Sequence, residues 1–235
     1  MFNQFSKNLK LASALALAGM VSTFMACGGS DGVVAEVAEE LSPGQIANRD
    51  FVNKLDEKQL LAELSKGGNV VYFRHTQTEK DFADQADPKL VLGDCSTQRK
   101  LSAAGVVDAN SIGEGFEAQN IPVGDVIASD YCRAWKGANI AFGRYVRDPR
   151  LNFLPFEEYT DAQVEQMKTT VTPLLIATPQ TGKNTVIFGH DDIFEAATGI
   201  YPEPQGVAYV LKPDGKGAFA VQAKVQVQRW GKFAK

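Results

Sequence analysis

The chain has 235 residues, and the first 26 carry two lysines and no acidic side chain. The remaining 209 hold 22 basic and 28 acidic residues, a formal charge of −6, which argues against a nucleic-acid binder because that function needs a basic face. That length is enough for one domain with a sizeable core, and its two histidines, His75 and His190, leave little room for a zinc cluster built mainly from histidine.

Leu11 to Ala26 is uncharged but shorter than the roughly 20 apolar residues a membrane-spanning helix needs. With Lys7 and Lys10 ahead of it and small residues at its end, residues 1–26 read as a secretory signal. The segment Thr23-Phe24-Met25-Ala26-Cys27-Gly28-Gly29-Ser30 resembles a bacterial lipoprotein cleavage site. Ala26 and Gly28 fit that pattern, whereas Phe24 and Met25 stand where a leucine and a small residue are usual. The resemblance implies lipidation at Cys27, and two acyl chains would anchor the protein stably to a membrane of the bacterial cell envelope, in the periplasm or at the outer membrane. Residues 27–50 are glycine-rich at their start and acidic before Pro43, and read as a flexible tether. The expected folded domain is 51–235.

Within it, Leu55, Leu60, Leu61 and Leu64 predict an amphipathic helix over Asn53–Ser65, ended by Gly67-Gly68. Asn69–Phe73 is a short apolar run that predicts a buried strand, followed by Arg74-His75. Ser102–Gln119 suits a helix, Val126–Ala128 a second buried strand, and Arg133–Phe142 a further helix. Thr160–Ala177 is helical in pattern, with Pro173 expected to kink or end it. Thr185–Phe188 predicts a third strand leading into Gly189-His190, and Ile193–Thr198 a short helix. The tail reads as β-rich over Gly206–Leu211 and Ala218–Trp230, turned at Pro213-Asp214-Gly215. Strands alternating with helices predict a three-layer α/β/α sandwich with a mostly parallel central sheet.

Arg74, His75 and His190 each follow an apolar strand, and Arg133 lies a few residues beyond one. The carboxyl ends of strands border the ligand crevice of open α/β sheets. Covalent phosphoryl transfer needs a nucleophile, donors for the equatorial oxygens and an acid for the leaving oxygen. Neutral imidazole can be the nucleophile, and guanidinium groups donate in pairs to phosphate.

Arg74-His75-Thr76-Gln77-Thr78, Ser129-Asp130-Tyr131-Cys132-Arg133-Ala134 and Val186-Ile187-Phe188-Gly189-His190 together resemble, in order, the three signature elements of the histidine phosphatase (phosphoglycerate-mutase-like) superfamily. The resemblance covers roughly residues 69–227. It implies a phosphoglycerate-mutase-like fold and a phosphomonoester hydrolase with His75 as nucleophile, Arg74, Arg133 and Thr78 binding phosphate, and His190 stabilising the transferring group. No cofactor is expected, and no metal, because His190-Asp191-Asp192 lacks a further histidine or cysteine at suitable spacing. The expected partner is a small phosphorylated substrate. A phosphomutase of the same family and a non-catalytic phosphate-binding surface lipoprotein are the alternatives. The general acid is implied to be Asp191, right after the second histidine, or else Glu157 or Glu158 between the second arginine and the second histidine. Two departures stand out: Thr76 replaces the usual glycine, and Asp81 stands where many mutase-like members have asparagine. Cys95 and Cys132 could remain separate thiols or form a disulfide in an oxidising compartment. If paired, they would tether the loop after the first strand to the segment of Arg133.

Overall fold

A computed structural model describes residues 40–79, 90–156 and 158–234. The signal and Cys27 therefore lie outside the described residues, as do Asp81 and Glu157. In the described residues, strands β1 (Val70–Arg74), β2 (Val123–Ala128), β3 (Val146–Arg147), β4 (Asn184–Gly189), β5 (Ala208–Pro213) and β6 (Phe219–Val225) form one sheet in the order β3-β2-β4-β1-β5-β6. The four strands from β3 to β1 run parallel, and the β5–β6 hairpin closes one edge antiparallel.

Burial on both faces explains why β1 is apolar throughout. Val71 and Phe73 enter one core with Phe116, Phe188 and Trp230, whereas Val70 and Tyr72 enter the other with Val171, Leu175 and Phe194. Period-two alternation sends neighbouring side chains to opposite faces, and helices cover each. Helices α2 (Glu57–Lys66), α3 (Ala103–Ala118) and α7 (Val227–Phe233) supply residues to the first core, and α5 (Asp161–Ile176) and α6 (Asp191–Thr198) to the second. Between β2 and β3, α4 (Cys132–Phe142) also buries Ala134 and Ala138 in the first core.

Four local expectations are corrected. The stretch expected to be a tether contains α1 (Pro43–Arg49), whose Ser42–Gln45 capping box starts the helix ahead of Asp50. This helix is held to β5 by Tyr209 Oη donating to Asn48 Oδ1 at 2.6 Å, and to the segment after α6 by Tyr201 N donating to Gly44 O at 3.0 Å. Helix α2 begins four residues later than the leucine spacing implies, because Asp56 and Gln59 form a capping box and Asn53 is drawn into bonds with Lys224. The helix expected over Thr160–Ala177 is present as α5, and Pro173 does not end it; the lost backbone bond is offset by burial of Val171, Leu174 and Leu175 around it. The last expected strand stops at Val225, and α7 replaces its end because Val227, Trp230 and Phe233 recur at helical spacing and bury together.

Candidate active site

Strand β4 lies between β1 and β2, so the three motifs that are far apart in sequence end side by side. The parallel ladders continue one residue past the strands: His75 N donates to Gly189 O at 3.0 Å, and Ser129 N donates to Phe188 O at 3.0 Å. His75, Ser129 and His190 are fully buried, and Arg133 and Arg74 are nearly so. The His75 and His190 ring centroids are 5.5 Å apart at an interplanar angle of 62°.

His75 Nδ1 lies 2.9 Å from Thr76 O, which can only accept, so Nδ1 carries the proton and the lone pair is on Nε2. His75 Nε2 is buried without a hydrogen-bond partner among the described residues. Burial first, then the guanidiniums of Arg133 and Arg74, hold this imidazole well below its ordinary pKa, so it is neutral at pH 7. Burial and Arg133 act in the same direction on His190. The site thus holds an uncharged imidazole nitrogen beside arginine side chains.

His190 is set in place by Tyr72, a residue sequence reading assigned only to the strand. Its hydroxyl donates to His190 O at 2.7 Å and accepts from His190 N at 2.9 Å. This approach requires Gly189, where a Cβ would collide with the Tyr72 hydroxyl. The rings of Tyr131 and Phe153 stand edge-on to His190 at 4.9 and 4.7 Å, and the Arg133 guanidinium lies over the same two rings at 4.8 and 5.5 Å. Stacking of this kind orients a guanidinium without neutralising it.

Arg74, expected to bind phosphate, is anchored on the protein through both terminal nitrogens, while its Nε is buried without a hydrogen-bond partner among the described residues. Its Nη1 donates to Pro202 O at 3.1 Å, and its Nη2 pairs with Asp191 Oδ2 at 2.5 Å. Asp191 Oδ2 also accepts from the Tyr201 hydroxyl at 2.7 Å. Thr78 is buried, with its amide and hydroxyl both within hydrogen-bond reach of the Gln205 side chain. Glu158 is exposed in the loop before α5. The next acid after Asp191 is unusual: burial, then the Asp191 charge, push Asp192 up to about 7.

Arg99 was missed at the sequence level, yet its charge acts on both imidazoles. It follows Gln98, a fully buried side chain whose Oε1 accepts from Cys132 N at 2.8 Å while its Nε2 donates to Val91 O and Leu92 O. Cys95 and Cys132 are joined by a disulfide, with Cα atoms 5.7 Å apart. The loop bearing Arg99 is therefore tied covalently to the residue before Arg133. Thr76 fits without displacing the backbone because α4 presents Gly137 opposite its hydroxyl.

No family model and no curated protein matches the chain. Among solved structures, it is similar in fold to the protein histidine phosphatase SixA complexed with tungstate, with TM-score 0.50 and 12% identity over 68% of this chain and 98% of that one. A mycobacterial glucosyl-3-phosphoglycerate phosphatase complexed with VO3 aligns at TM-score 0.47 with 13% identity, over 66% of this chain and 97% of the other. A phosphoserine phosphatase mutant from Entamoeba histolytica in complex with phosphoserine aligns at 0.45 with 12% identity, over 68% and 98%. The six-stranded α/β architecture is thus the phosphoglycerate-mutase-like fold.

Proposed function

We propose that this protein hydrolyses a phosphomonoester through a phosphohistidine on His75, without a metal. The observation that carries the reading is the buried pair of histidines at adjacent strand ends. His75 is neutral, its Nε2 has no partner among the described residues, and its ring lies 5.5 Å by centroid from a second imidazole among arginine side chains. Attack of Nε2 on phosphorus would form the N–P bond as the P–O bond to the leaving group breaks, the leaving oxygen taking a proton from solvent to become the alcohol. Arg133 would meet the charge on the equatorial oxygens. Water would then take the phosphoryl group from His75. Asp191 would serve chiefly to hold Arg74, because its Oδ2 is already committed to that guanidinium and to Tyr201.

The same reading includes export and anchoring through Cys27. It is supported by the sequence around that cysteine and by the Cys95–Cys132 disulfide, which persists in oxidising compartments. A screen of phosphomonoesters with wild type and His75→Ala, with and without a chelator, tests the activity. The variant should lose at least ~10³-fold in kcat, as removing a nucleophile does. Turnover that survives in His75→Ala, or that the chelator abolishes, rejects the mechanism.

A further inference from the structure

The second histidine ends a chain of hydrogen bonds whose polarity can be read without ambiguity. Asp130 N, a donor, points at Asn152 Oδ1 at 2.9 Å, while Asn152 Nδ2 donates to Asp130 Oδ2 at 3.0 Å. These two bonds settle which end of the Asn152 amide is oxygen. Ser129 Oγ lies 2.8 Å from that oxygen and must spend its only proton there. It is then an acceptor toward everything else, namely Tyr131 N at 3.1 Å and His190 Nε2 at 2.8 Å. His190 Nε2 must therefore carry a proton, and in the neutral ring Nδ1 is bare. That Nδ1 is buried and has no partner among the described residues.

The charged and titratable groups around this imidazole come from every packed element. Arg74 ends β1 and His75 follows it, Arg133 lies on α4, Arg99 precedes α3, and Asp191 and Asp192 open α6. Asp130 sits at the far end of the chain, 3.9 Å from Arg147. The site thus holds two unprotonated and unpartnered nitrogens, His75 Nε2 and His190 Nδ1, on rings whose centroids are 5.5 Å apart. A fully ionised phosphoryl group would satisfy the first through its phosphorus and oppose the second with an oxygen lone pair.

We propose that Asp130, Asn152 and Ser129 form a positioning chain that locks His190 as the Nε2–H tautomer, so that a phosphoryl group is held only with one proton on the line between its oxygen and Nδ1. A monoanion brings that proton as its own P–O–H. A dianion binds with uptake of one proton from solvent. The assignment of phosphate as the ligand rests on the proposed phosphatase activity; the tautomer does not.

Histidine-selective 15N NMR of the wild-type protein reads the tautomer directly, with His75→Ala assigning the signals, since the chain has two histidines. The expected result is a protonated Nε2 and a bare Nδ1 on His190; the reverse pattern overturns the proposal. In Asn152→Ala the Ser129 hydroxyl is released to donate toward Nε2, and the population should move toward Nδ1–H. Ser129→Thr keeps the hydroxyl and should retain the wild-type pattern. A purely structural role for Asn152 would leave the tautomer unmoved. Calorimetry of inorganic phosphate binding at about pH 8, in buffers of different ionisation enthalpy, should show uptake of about one proton per phosphate by wild type. Uptake near zero overturns the proposal. A protein with the expected tautomer that neither binds phosphate nor hydrolyses any ester would sink the phosphatase reading and leave the positioning chain standing.

Discussion

Arg74 and Asp191, separated by more than a hundred residues, form a 2.5 Å ion pair in which the side chains are 9% and 16% exposed. The pair bridges the end of β1 and the start of α6, and the Tyr201 hydroxyl joins it through Asp191 Oδ2. Removing one partner from a pair this buried leaves the other charge uncompensated. It also frees the guanidinium beside His75 to change position.

Asp191→Asn should therefore lower stability by roughly 2–4 kcal/mol in urea unfolding. In kinetics it should raise KM by a similar factor for aryl and alkyl phosphates, since both depend on Arg74. A residue that protonates the leaving group would instead cost kcat, and far more with the alkyl ester. Measuring both esters separates the two roles.

Asp192 offers a pH signature of opposite kind. Its carboxyl is raised from 3.8 to about 7 in the folded chain, so folding favours its protonated form. The stability it contributes is full below the unfolded value and is lost as pH rises through about 7. Asp192→Asn should therefore raise the melting temperature at pH 8 and leave it nearly unchanged at pH 4. Equal shifts at both pH values would show that ionisation of this group is not the cause.

The Cys95–Cys132 disulfide closes a loop with a sequence separation of 37 residues. Replacing both cysteines by serine should cost ~3–4 kcal/mol of stability. It should also raise KM more than it lowers kcat, because the linkage steadies Arg99 and Arg133 and leaves His75 untouched. Reduction of the wild-type protein under native conditions should reproduce the KM change.

Gly189→Ala tests the clamp on the second histidine. The added methyl would collide with the Tyr72 hydroxyl, which bonds both backbone groups of His190. A loss of about 1–3 kcal/mol is expected from the overpacking, together with a fall in kcat from displacement of His190. Tyr72→Phe in the Gly189→Ala background should recover part of the stability, since it removes the colliding oxygen.

Much of this site was legible in the residues. The strands of the parallel core announce themselves because burial on both faces demands continuous apolar runs, and the runs of β1 and β4 end where the histidines of the candidate site begin. His75, His190 and Arg133 could be singled out for that reason, since each stands at or shortly after such an end. The helix boundaries were less legible. Asp56 and Gln59 override the leucine spacing of α2 through two hydrogen bonds, and α7 reads as a strand until Trp230 is seen to stack on Phe116, 4.7 Å away. Arg99 carries no local mark, because its place beside the histidines depends on a disulfide and a buried glutamine that act across the fold.

By itself, the sequence determined the order of β1, β2 and β4 and of helices α2 to α6, and the residue types at those strand ends, because periodicity and apolar runs are local properties of the chain. Only the tertiary structure decided that Arg74 is held by Asp191, that Gly189 admits Tyr72, and that Asn152 dictates through Ser129 which nitrogen of His190 bears its proton. Each of these depends on polar groups brought from distant positions into a dry interior. There an unpaired donor or acceptor is costly, and the network settles on the arrangement that satisfies the most of them.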